Sequence, residues 1–424
     1  MRRKAEKDPV KQGQGVFRAL VPLIAGMAET KVELLQWVHE VGMKALTELF
    51  ESEAEKLTGV KGKHQPERTH LRWGSTKTQL PLGGRRVQID RPRIRRKGGG
   101  EARLGAIEAF RQSDALPERV LQQILLGVST RGYGSSLEPV EPKAQCRGTS
   151  KSSAARHLQV RMRATMKAQL VERLDEIKLA ALMIDGIAIG DGTVVVALGI
   201  TTEGAKKPLG LWQGSTENAT VCTALLQSLF DRGLAITGPI LCVIDGGKGL
   251  RKAIQDVFGE RGVIQRCQIH KRRNVLGHLP KKAHGHVSRL LAEAYSGDNV
   301  ALSRKRLKSL VSWLEGEGHD GAASSLREGL EETLTVVSLK LSDTLRRSLS
   351  STNAIENTMG TLRRVTRNVK RWRGGDMARR WTAVGLNEAA KRFRRIKGYR
   401  ELPKLLQALA DRSAALIDRN SEAA

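Results

Sequence analysis

Two aspartates, Asp185 and Asp245, each end a run of apolar residues that predicts a buried strand, and a glycine follows each of them. Strand ends are the usual place for a site in an α/β sheet. Two carboxylates brought together there repel each other unless a cation lies between them, and their oxygen atoms suit Mg²⁺ or Mn²⁺. The pair therefore predicts a metal site, although an Asp-Gly step after a strand is also ordinary turn chemistry.

A third acid, Glu356, lies near the start of the strongly basic segment STNAIENTMGTLRRVTRNVKRW. If this segment is a helix, Arg363 and Arg367 lie within about 20° of the direction of Glu356, so the three side chains share one face. The carboxylate would then bind a metal while the arginines hold the flanking phosphates. Glu356 would equally suit the first turn of a helix capped by Ser351 or Thr352. These residues alone do not decide between the two roles.

The charge of the chain indicates the kind of partner it binds. There are 73 lysine and arginine residues against 44 aspartate and glutamate residues, a formal net charge of +29 over 424 residues. This excess predicts a polyanionic partner, because basic groups that neutralise phosphates gain affinity by releasing counterions. No run approaches the ~20 apolar residues of a membrane-spanning helix, and the N-terminus lacks a secretory pattern. Four scattered cysteines without a C-x-x-C pair predict reduced thiols in a cytoplasmic setting.

The elements that must position the two aspartates lie between residues 179 and 267. Their pattern predicts three β-elements followed by α, β, α and β, which is an α/β core with a mixed sheet. Asp191 lies in the GDG turn between the first two strands, and Thr216 is the expected cap of the helix that follows the third. Residues 268–350 carry no comparable strand pattern and predict several helices.

The N-terminal part of the chain predicts two kinds of element. Residues 15–60 have the apolar spacing of a helix. Further along, alternating apolar residues around Gly83-Gly84 predict a short β-hairpin.

Two helical pieces follow, separated by a connection rich in glycine and proline. In the second piece Ala154, Leu158 and Met162 recur every four residues, behind a start rich in serine and threonine. With Lys151 and Arg156 on it, this piece suits the recognition helix of a helix-turn-helix. The alternative is a plain helical hairpin.

Several segments together resemble the transposases of the Mutator-type bacterial insertion sequences. The resemblance covers roughly residues 115–400 with order and spacing kept, and the joint occurrence of so many segments makes it highly specific. The N-terminal hundred residues are less diagnostic. The matching segments are LMIDGIAIGDGTVVVALGI, GSTENATVCTALLQSL, VIDGGKGLRKAI, RCQIHKRRNVL, SLREGLEETLTV and STNAIENTMGTLRR.

The resemblance implies an RNase H-like catalytic core with a DDE triad, matched here by Asp185, Asp245 and Glu356. It implies two divalent ions, Mg²⁺ or Mn²⁺, held by these residues for an in-line displacement at phosphorus. The long interval between Asp245 and Glu356 fits the family's all-α insertion. The expected fold class is therefore α/β, an RNase H-like core with an all-α insertion, preceded by a mainly helical DNA-binding N-terminal region.

The resemblance also suggests residues that contact DNA. Cys267 and His270 match the family's C-x-x-H element, and we expect His270 near the active site, against phosphate or an ordered water. C-x-x-H is also half of a zinc site, but its spacing to His278, His284 and His286 matches no standard finger. The other residues expected to contact DNA are Trp313, which is otherwise a core aromatic, and the basic residues Arg363, Arg364, Arg367, Lys370 and Arg371.

We expect a transposase that binds the terminal inverted repeats of an insertion sequence, cleaves there and joins the 3′-hydroxyl to target DNA. Because two ends must meet, we expect a homodimer or larger assembly on double-stranded DNA, in the bacterial cytoplasm at the nucleoid. The alternatives are an RNase H-like nuclease without strand transfer and a non-catalytic DNA-binding regulator. The expected regions are 1–100 for end binding, 101–175 resembling a helix-turn-helix, 176–270 as the first part of the core, 271–350 as the helical insertion, 351–400 completing the core, and 401–424 as a C-terminal helix and tail.

Overall fold

The computed structural model describes residues 31–63, 66–112, 114–138, 140, 145–216, 218–374 and 376–422, with side chains from residue 35 to residue 415. The chain forms two compact units, the first within residues 1–161 and the second within residues 162–424. In the described part of the chain, no helix is both long and apolar enough to span a membrane.

The first unit combines helices with a four-stranded sheet; helices hold more of its described residues than strands do, and the β region is larger than the sequence indicated. The part of the predicted N-terminal helix before residue 31 lies outside the described residues. The elements, in order, are α1 (Lys31–Thr58), β1 (His70–Leu82), β2 (Arg85–Arg96), β3 (Glu101–Ala102), α2 (Gly105–Gln112), α3 (Leu116–Leu125), β4 (Cys146–Arg147) and α4 (Lys151–Val171), which contains the boundary at Arg161.

The hairpin predicted at Gly83-Gly84 is confirmed, but it is much longer than the sequence indicated. β1 and β2 pair from Leu82↔Arg85 at the turn to His70↔Arg96 at the far end. Both turn glycines have positive φ, 57° and 80°, as a two-residue hairpin turn requires. The strands were underestimated because several of their buried positions hold Thr78, Arg85 and Pro92 instead of the apolar side chains that would show the alternation.

The two helical pieces predicted next are confirmed as α3 and α4, and Ala154, Leu158 and Met162 of α4 are buried as expected. The connection between them holds a 3₁₀ turn and β4, whereas a helix-turn-helix joins its helices by three or four residues. The tight turn of that motif is therefore missing from this interval as far as it is described. Binding of DNA by α4 stays a prediction.

The second unit contains the predicted α/β core with its mixed sheet. Its elements, in order, are β5 (Leu179–Ile189), β6 (Gly192–Thr201), β7 (Lys206–Gly214), α5 (Ala219–Asp231), β8 (Ile240–Ile244), α6 (Lys248–Phe258), β9 (Gly262–Arg266), α7 (Gln268–Gly277), α8 (His284–Ser296), α9 (Val300–Gly316), α10 (Asp320–Arg327), α11 (Leu330–Thr333), α12 (Thr335–Ser338), α13 (Asp343–Leu349), α14 (Asn353–Thr366), α15 (Met377–Ala390) and α16 (Leu402–Glu422).

The five strands of this sheet lie in the order β7-β6-β5-β8-β9. β5, β6 and β7 pair antiparallel, whereas β5, β8 and β9 pair parallel, with α5 and α6 as the crossover helices. Alternate side chains such as Ile184 and Cys242 pack with α5 and α6, while α14, α15 and α16 also pack against the sheet. Because the intervening residues, among them Met183 and Val196, are buried too, the sheet is covered on both faces.

Two local expectations for the core have different outcomes. Asp191 lies in the turn between β5 and β6, as predicted. The N-cap of α5 is Asn218 rather than Thr216, because the Asn218 side chain accepts the Val221 amide at 3.0 Å. Glu217, expected in the first turn, lies outside the described residues.

The described residues between β9 and α14 are helical, as the sequence predicted, and run from α7 to α13. Leucines of α8, α9 and α10 form a separate apolar cluster with Val275 of α7. The insertion is fixed to the sheet by the fully buried Gln265 of β9. Its amide nitrogen donates to Thr333 O at 3.1 Å and its amide oxygen accepts from Val336 N at 2.8 Å, so one side chain bonds both α11 and α12.

We predict that Gln265→Leu lowers the free energy of unfolding by about 1–3 kcal/mol, because it leaves the buried Val336 amide without its partner, while Thr333 O keeps its bond from Gln268 Nε2. Urea denaturation followed by circular dichroism measures this change. The matched control is Gln255→Leu on the exposed side of α6, for which we expect a change within about 0.5 kcal/mol. Equal effects of the two substitutions would contradict the role given to Gln265.

Candidate active site

Asp185 and Asp245 are brought side by side by the register of two parallel strands. β5 and β8 pair from Ala181↔Leu241 to Ile184↔Ile244, and the next position on each chain is an aspartate. The sequence placed Asp185 at the end of its strand, but β5 continues to Ile189 in its pairing with β6. The two carboxylates become neighbours because β8 ends at Ile244, one residue before Asp245, opposite the middle of β5.

The loop after Asp245 is shaped by a glycine that no other residue can replace without strain. Gly246 has φ of +110°, and a Cβ built on it would lie 2.1 Å from Nε of Arg266. The Arg266 side chain is buried and donates to Glu328 O at 3.1 Å. The Gly247 amide donates to Asp245 Oδ1 at 2.8 Å, and this bond fixes the direction of the carboxylate.

The start of α7 is bonded to the end of β8 and to the segment just before α14. Cys267 N donates to Ile244 O at 2.7 Å, and Gln268 N donates to Ser350 O at 3.0 Å. The first turn of α14, which contains Glu356, is therefore held beside the two aspartates. α14 also packs on β5 through a face of buried residues, namely Ile355, Thr358, Met359, Leu362 and Val365.

The carboxylate of Glu356 is surrounded by donors. Thr352 Oγ1 donates to Oε1 at 3.1 Å, His270 Nε2 lies 3.6 Å from Oε1, and Arg273 Nη1 lies 3.7 Å from Oε2. Thr352 occupies the N-cap position of α14 but makes no side-chain cap bond, so its hydroxyl serves the carboxylate. His270 and Arg273 lie three residues apart on α7 and reach Glu356 from the same side.

The sulfur of Cys267 accepts hydrogen bonds from both His270 and Thr352. It accepts from the backbone nitrogens of His270 and Thr352, at 3.5 and 3.4 Å, and from Thr352 Oγ1 at 3.4 Å. Cys267 is thus the N-cap of α7 and at the same time a partner of the residue that holds Glu356. Its side chain is fully buried.

The electrostatics place Asp185 in the same site as the other acids. The pKa of Asp185 is raised to about 6, first by burial and then by the negative charges of Asp245 and Glu356, while His270 and the Gly186 amide act in the opposite direction. The pKa of His270 is raised, chiefly by its hydrogen bond to Cys267 and also by the charges of Glu356 and Asp245. The side chains of Asp185, Asp245, Glu356 and His270 are therefore close enough to influence one another electrostatically.

The pKa of Cys267 shows how its partners act on it. Burial raises the pKa of this thiol, but the hydrogen bonds from His270 and Thr352 outweigh burial and lower it overall. Burial alone raises the pKa of Cys242, on the neighbouring strand, to about 12. None of the four cysteines forms a disulfide.

The three carboxylates do not all converge on one point. Among the described residues, the one group of three close metal-binding side chains joins Glu356 to Cys267 and His270 rather than to the two aspartates. His284 and His286 do not belong to it: His284 Nε2 bonds Leu279 O at 3.0 Å, and the ring of His286 makes an edge-to-face contact with Trp313.

The residues expected to hold DNA lie at the surface. α14 ends at Thr366, earlier than predicted, so the basic stretch after it leaves the helix. Trp313 is 36% exposed against the His286 ring, 5.1 Å between ring centroids, so it is a surface aromatic rather than a core one. The exposed basic residues are Arg363, Arg364, Arg367, Lys370 and Arg371, and, within the first unit, Lys151 and Arg156.

Two residues of the site were missed at the sequence level. Thr352 was considered only as a helix cap, and Arg273 was not considered. The spacing of Arg273 would have found it, because Cys267, His270 and Arg273 recur every three residues along one side of a helix.

The sequence of the chain matches a known protein family over most of its length. The profile of the family described as "Transposase, Mutator family" matches residues 24–395. The transposase for insertion sequence element ISRM5 of Rhizobium meliloti is 27% identical over 342 residues, covering 78% of this chain and 81% of that relative.

Other relatives match over shorter stretches. The transposase for insertion sequence element ISRM3 of Rhizobium meliloti is 29% identical over 202 residues, and there the chain spans about half of the relative's length, 49%, and 48% of its own. The transposase for insertion sequence element IS256 in transposon Tn4001 of Staphylococcus aureus is 28% identical over 170 residues, 40% of this chain and 42% of the relative. Since the family profile extends over most of the chain, from before the first described helix to beyond α15, the chain belongs to the Mutator family of transposases.

Proposed function

We propose that this chain is a DDE-type transposase that cleaves DNA at the ends of an insertion sequence and transfers the resulting strand to target DNA. The observation that carries the proposal is the register of β5 and β8, which makes Asp185 and Asp245 neighbours, with Glu356 in the first turn of a helix packed on β5. Membership of the transposase family supports the same chemistry.

The donor set fits divalent metal ions. Carboxylate oxygens are the ligands of Mg²⁺ and Mn²⁺, and a cation would favour the charged form of Asp185, whose pKa is raised first by burial and then by the charge of Asp245. On this proposal, Asp185, Asp245 and Glu356 would together hold two ions. When bound, such ions lower the pKa of a water and stabilise charge on the oxygens at phosphorus.

The residues of this chain have separate tasks around that set. Thr352 and Arg273 orient the Glu356 carboxylate, because each places a donor on one of its oxygens. His270, beside Glu356 and with a raised pKa, can donate a hydrogen bond to a phosphate oxygen. We propose further that the β5–β9 sheet with its helices is an RNase H-like core into which α7–α13 are inserted.

The surface beyond the site suits DNA. The basic residues at the end of α14 and just after it continue from the helix that carries Glu356, so a strand at the carboxylates would pass along them. Trp313 offers an exposed ring on which a displaced base can stack. We assign binding of the inverted repeats to the first unit, with Lys151 and Arg156, and a dimer or larger assembly to the pairing of two ends.

Glu356→Gln tests the carboxylate set. It keeps the size of the side chain and removes the charge, and we expect cleavage of an end-bearing DNA in Mg²⁺ to fall by about 100-fold or more. The control is Glu317→Gln, at an exposed position after α9, which should cleave like wild type.

Cleavage by Glu356→Gln at the wild-type rate would show that the triad assignment is wrong. The products separate the alternatives. A nuclease would nick without giving joined strands, and a regulator would bind DNA equally with or without Mg²⁺ and leave it intact.

The substitution Asp185→Asn tests whether the charged form of Asp185 lowers the free energy of unfolding. An acid whose folded pKa is raised from about 3.8 to about 6 adds stability below pH 4 that is lost as the pH rises to 6. In metal-free protein at pH 7–8, Asp185→Asn should therefore raise the free energy of unfolding by about 1–3 kcal/mol relative to wild type. Urea denaturation in EDTA between pH 4 and pH 8 measures the change.

The control for this experiment is Asp191→Asn, in the exposed turn between β5 and β6, which should leave the pH dependence unchanged. If wild type and Asp185→Asn show the same pH dependence between 4 and 7, Asp185 does not carry the confined charge.

Arg363→Gln tests the basic surface. The substitution removes one positive charge that would neutralise a phosphate, so the slope of log affinity against log salt should decrease by about 1, and binding should weaken similarly for all DNA sequences. Arg173→Gln changes the net charge equally at an exposed site where Arg173 pairs with Asp175. Fluorescence anisotropy at several salt concentrations should show a reduced slope for Arg363→Gln alone, and equal slopes would remove Arg363 from the DNA surface.

A further inference from the structure

Three different metal-binding atoms meet where α7 begins beside α14. Cys267 Sγ, a ring nitrogen of His270 and a carboxylate oxygen of Glu356 all lie within 4.8 Å of one another. A tetrahedral zinc ion with bonds of about 2.0–2.3 Å keeps its ligand atoms about 3.3–3.8 Å apart. The 3.6 Å between His270 Nε2 and Glu356 Oε1 already has that length.

The other two distances, from Cys267 Sγ to the His270 nitrogen and to the Glu356 oxygen, can shorten to this length by movement of side chains alone. His270 and Glu356 are 24% and 27% exposed, so both can rotate and an ion can reach them from solvent. Cys267 is the fixed member, because its backbone nitrogen bonds Ile244 O and its side chain caps α7. The sulfur also accepts the His270 and Thr352 amides, the kind of second-layer contact that orients a metal ligand.

We propose that Cys267, His270 and Glu356 form a binding site for a thiophilic divalent ion such as Zn²⁺, and that its occupation inhibits DNA cleavage. The inhibition, but not the binding, rests on the proposed function of Glu356. Three protein ligands leave the fourth position of a tetrahedral zinc ion for water.

The identity of the ion follows from the sulfur. Thiolate and imidazole select zinc and similar ions, whereas Mg²⁺ takes oxygen ligands and keeps its waters. The proposed site and the carboxylate set therefore accept different metals and share only Glu356. An ion that holds this carboxylate against Cys267 and His270 withdraws it from the two aspartates, so zinc acts against Mg²⁺ without competing for Asp185 or Asp245.

The binding test uses Co²⁺ as a spectroscopic probe for Zn²⁺ on the full chain, in excess Mg²⁺. A cobalt ion bound to a thiolate gives a sulfur-to-metal charge-transfer band, which Zn²⁺ should remove by displacement. We expect the band in wild type and its loss in Cys267→Ser, which keeps an oxygen to cap α7 but removes the soft ligand. Cys146→Ser, which alters a more accessible thiol on β4, should keep the band.

The activity test compares cleavage with and without micromolar Zn²⁺ at fixed Mg²⁺, as a ratio for each variant. We expect at least a tenfold loss for wild type and Cys146→Ser, and a ratio near one for Cys267→Ser. Using the ratio removes any effect of Cys267→Ser on the cleavage rate itself, and circular dichroism shows whether the variant is folded.

The proposal fails if the charge-transfer band survives in Cys267→Ser, is absent from wild type, or is lost in Cys146→Ser. It also fails if zinc inhibits wild type and Cys267→Ser equally. These outcomes are distinct from failure of the proposed function. A wild-type chain that never cleaves DNA in Mg²⁺ would refute the transposase activity, while the cobalt spectrum would still decide whether the metal site exists.

Discussion

Two like charges held side by side at the end of a parallel strand pair form the constraint around which the second unit is arranged. The pairing of β5 with β8 makes Asp185 and Asp245 neighbours, and burial keeps water from screening their repulsion. Such a pair is stable only with a proton or a cation between its members. The backbone around the pair is held by local contacts, since Gly246 lies against the Arg266 side chain and the start of α7 is bonded to the end of β8.

The core could be predicted from the sequence because its strands are apolar and flanked by turns. Short apolar runs flanked by turns, such as ILCVI in β8, predict a buried strand. When strands alternate with helices, only a few sheet topologies are possible. Asp185, Asp245 and Glu356 could be singled out as candidate metal ligands by type and by the resemblance to a family. The sequence underestimated the length of β1 and β2, because Thr78, Arg85 and Pro92 at buried positions hide the alternation. It also missed the end of α14, because basic residues that favour a helix continue past it.

The surroundings of Glu356 lay beyond sequence reasoning for a different reason. Its contacts to His270 and Arg273 join α7 to α14 across the six helices α8 to α13, and they exist because backbone bonds dock α7 against β8 and the start of α14. Long-range docking of this kind leaves no periodic trace in either segment. The role of Thr352 was hidden likewise, because a threonine at a helix start is normally taken as a cap.

The outer edge of β9 is covered by other parts of the chain, and this limits how a second copy could pair with the sheet. Thr335 Oγ1 donates to Ile264 O at 2.7 Å, and Gln265 bonds both α11 and α12, so side chains and helices occupy this border of the sheet. A second chain therefore cannot add a strand beside β9. If copies of this chain assemble on DNA as proposed, any contact at this border of the sheet has to come from helices and loops rather than from strand pairing.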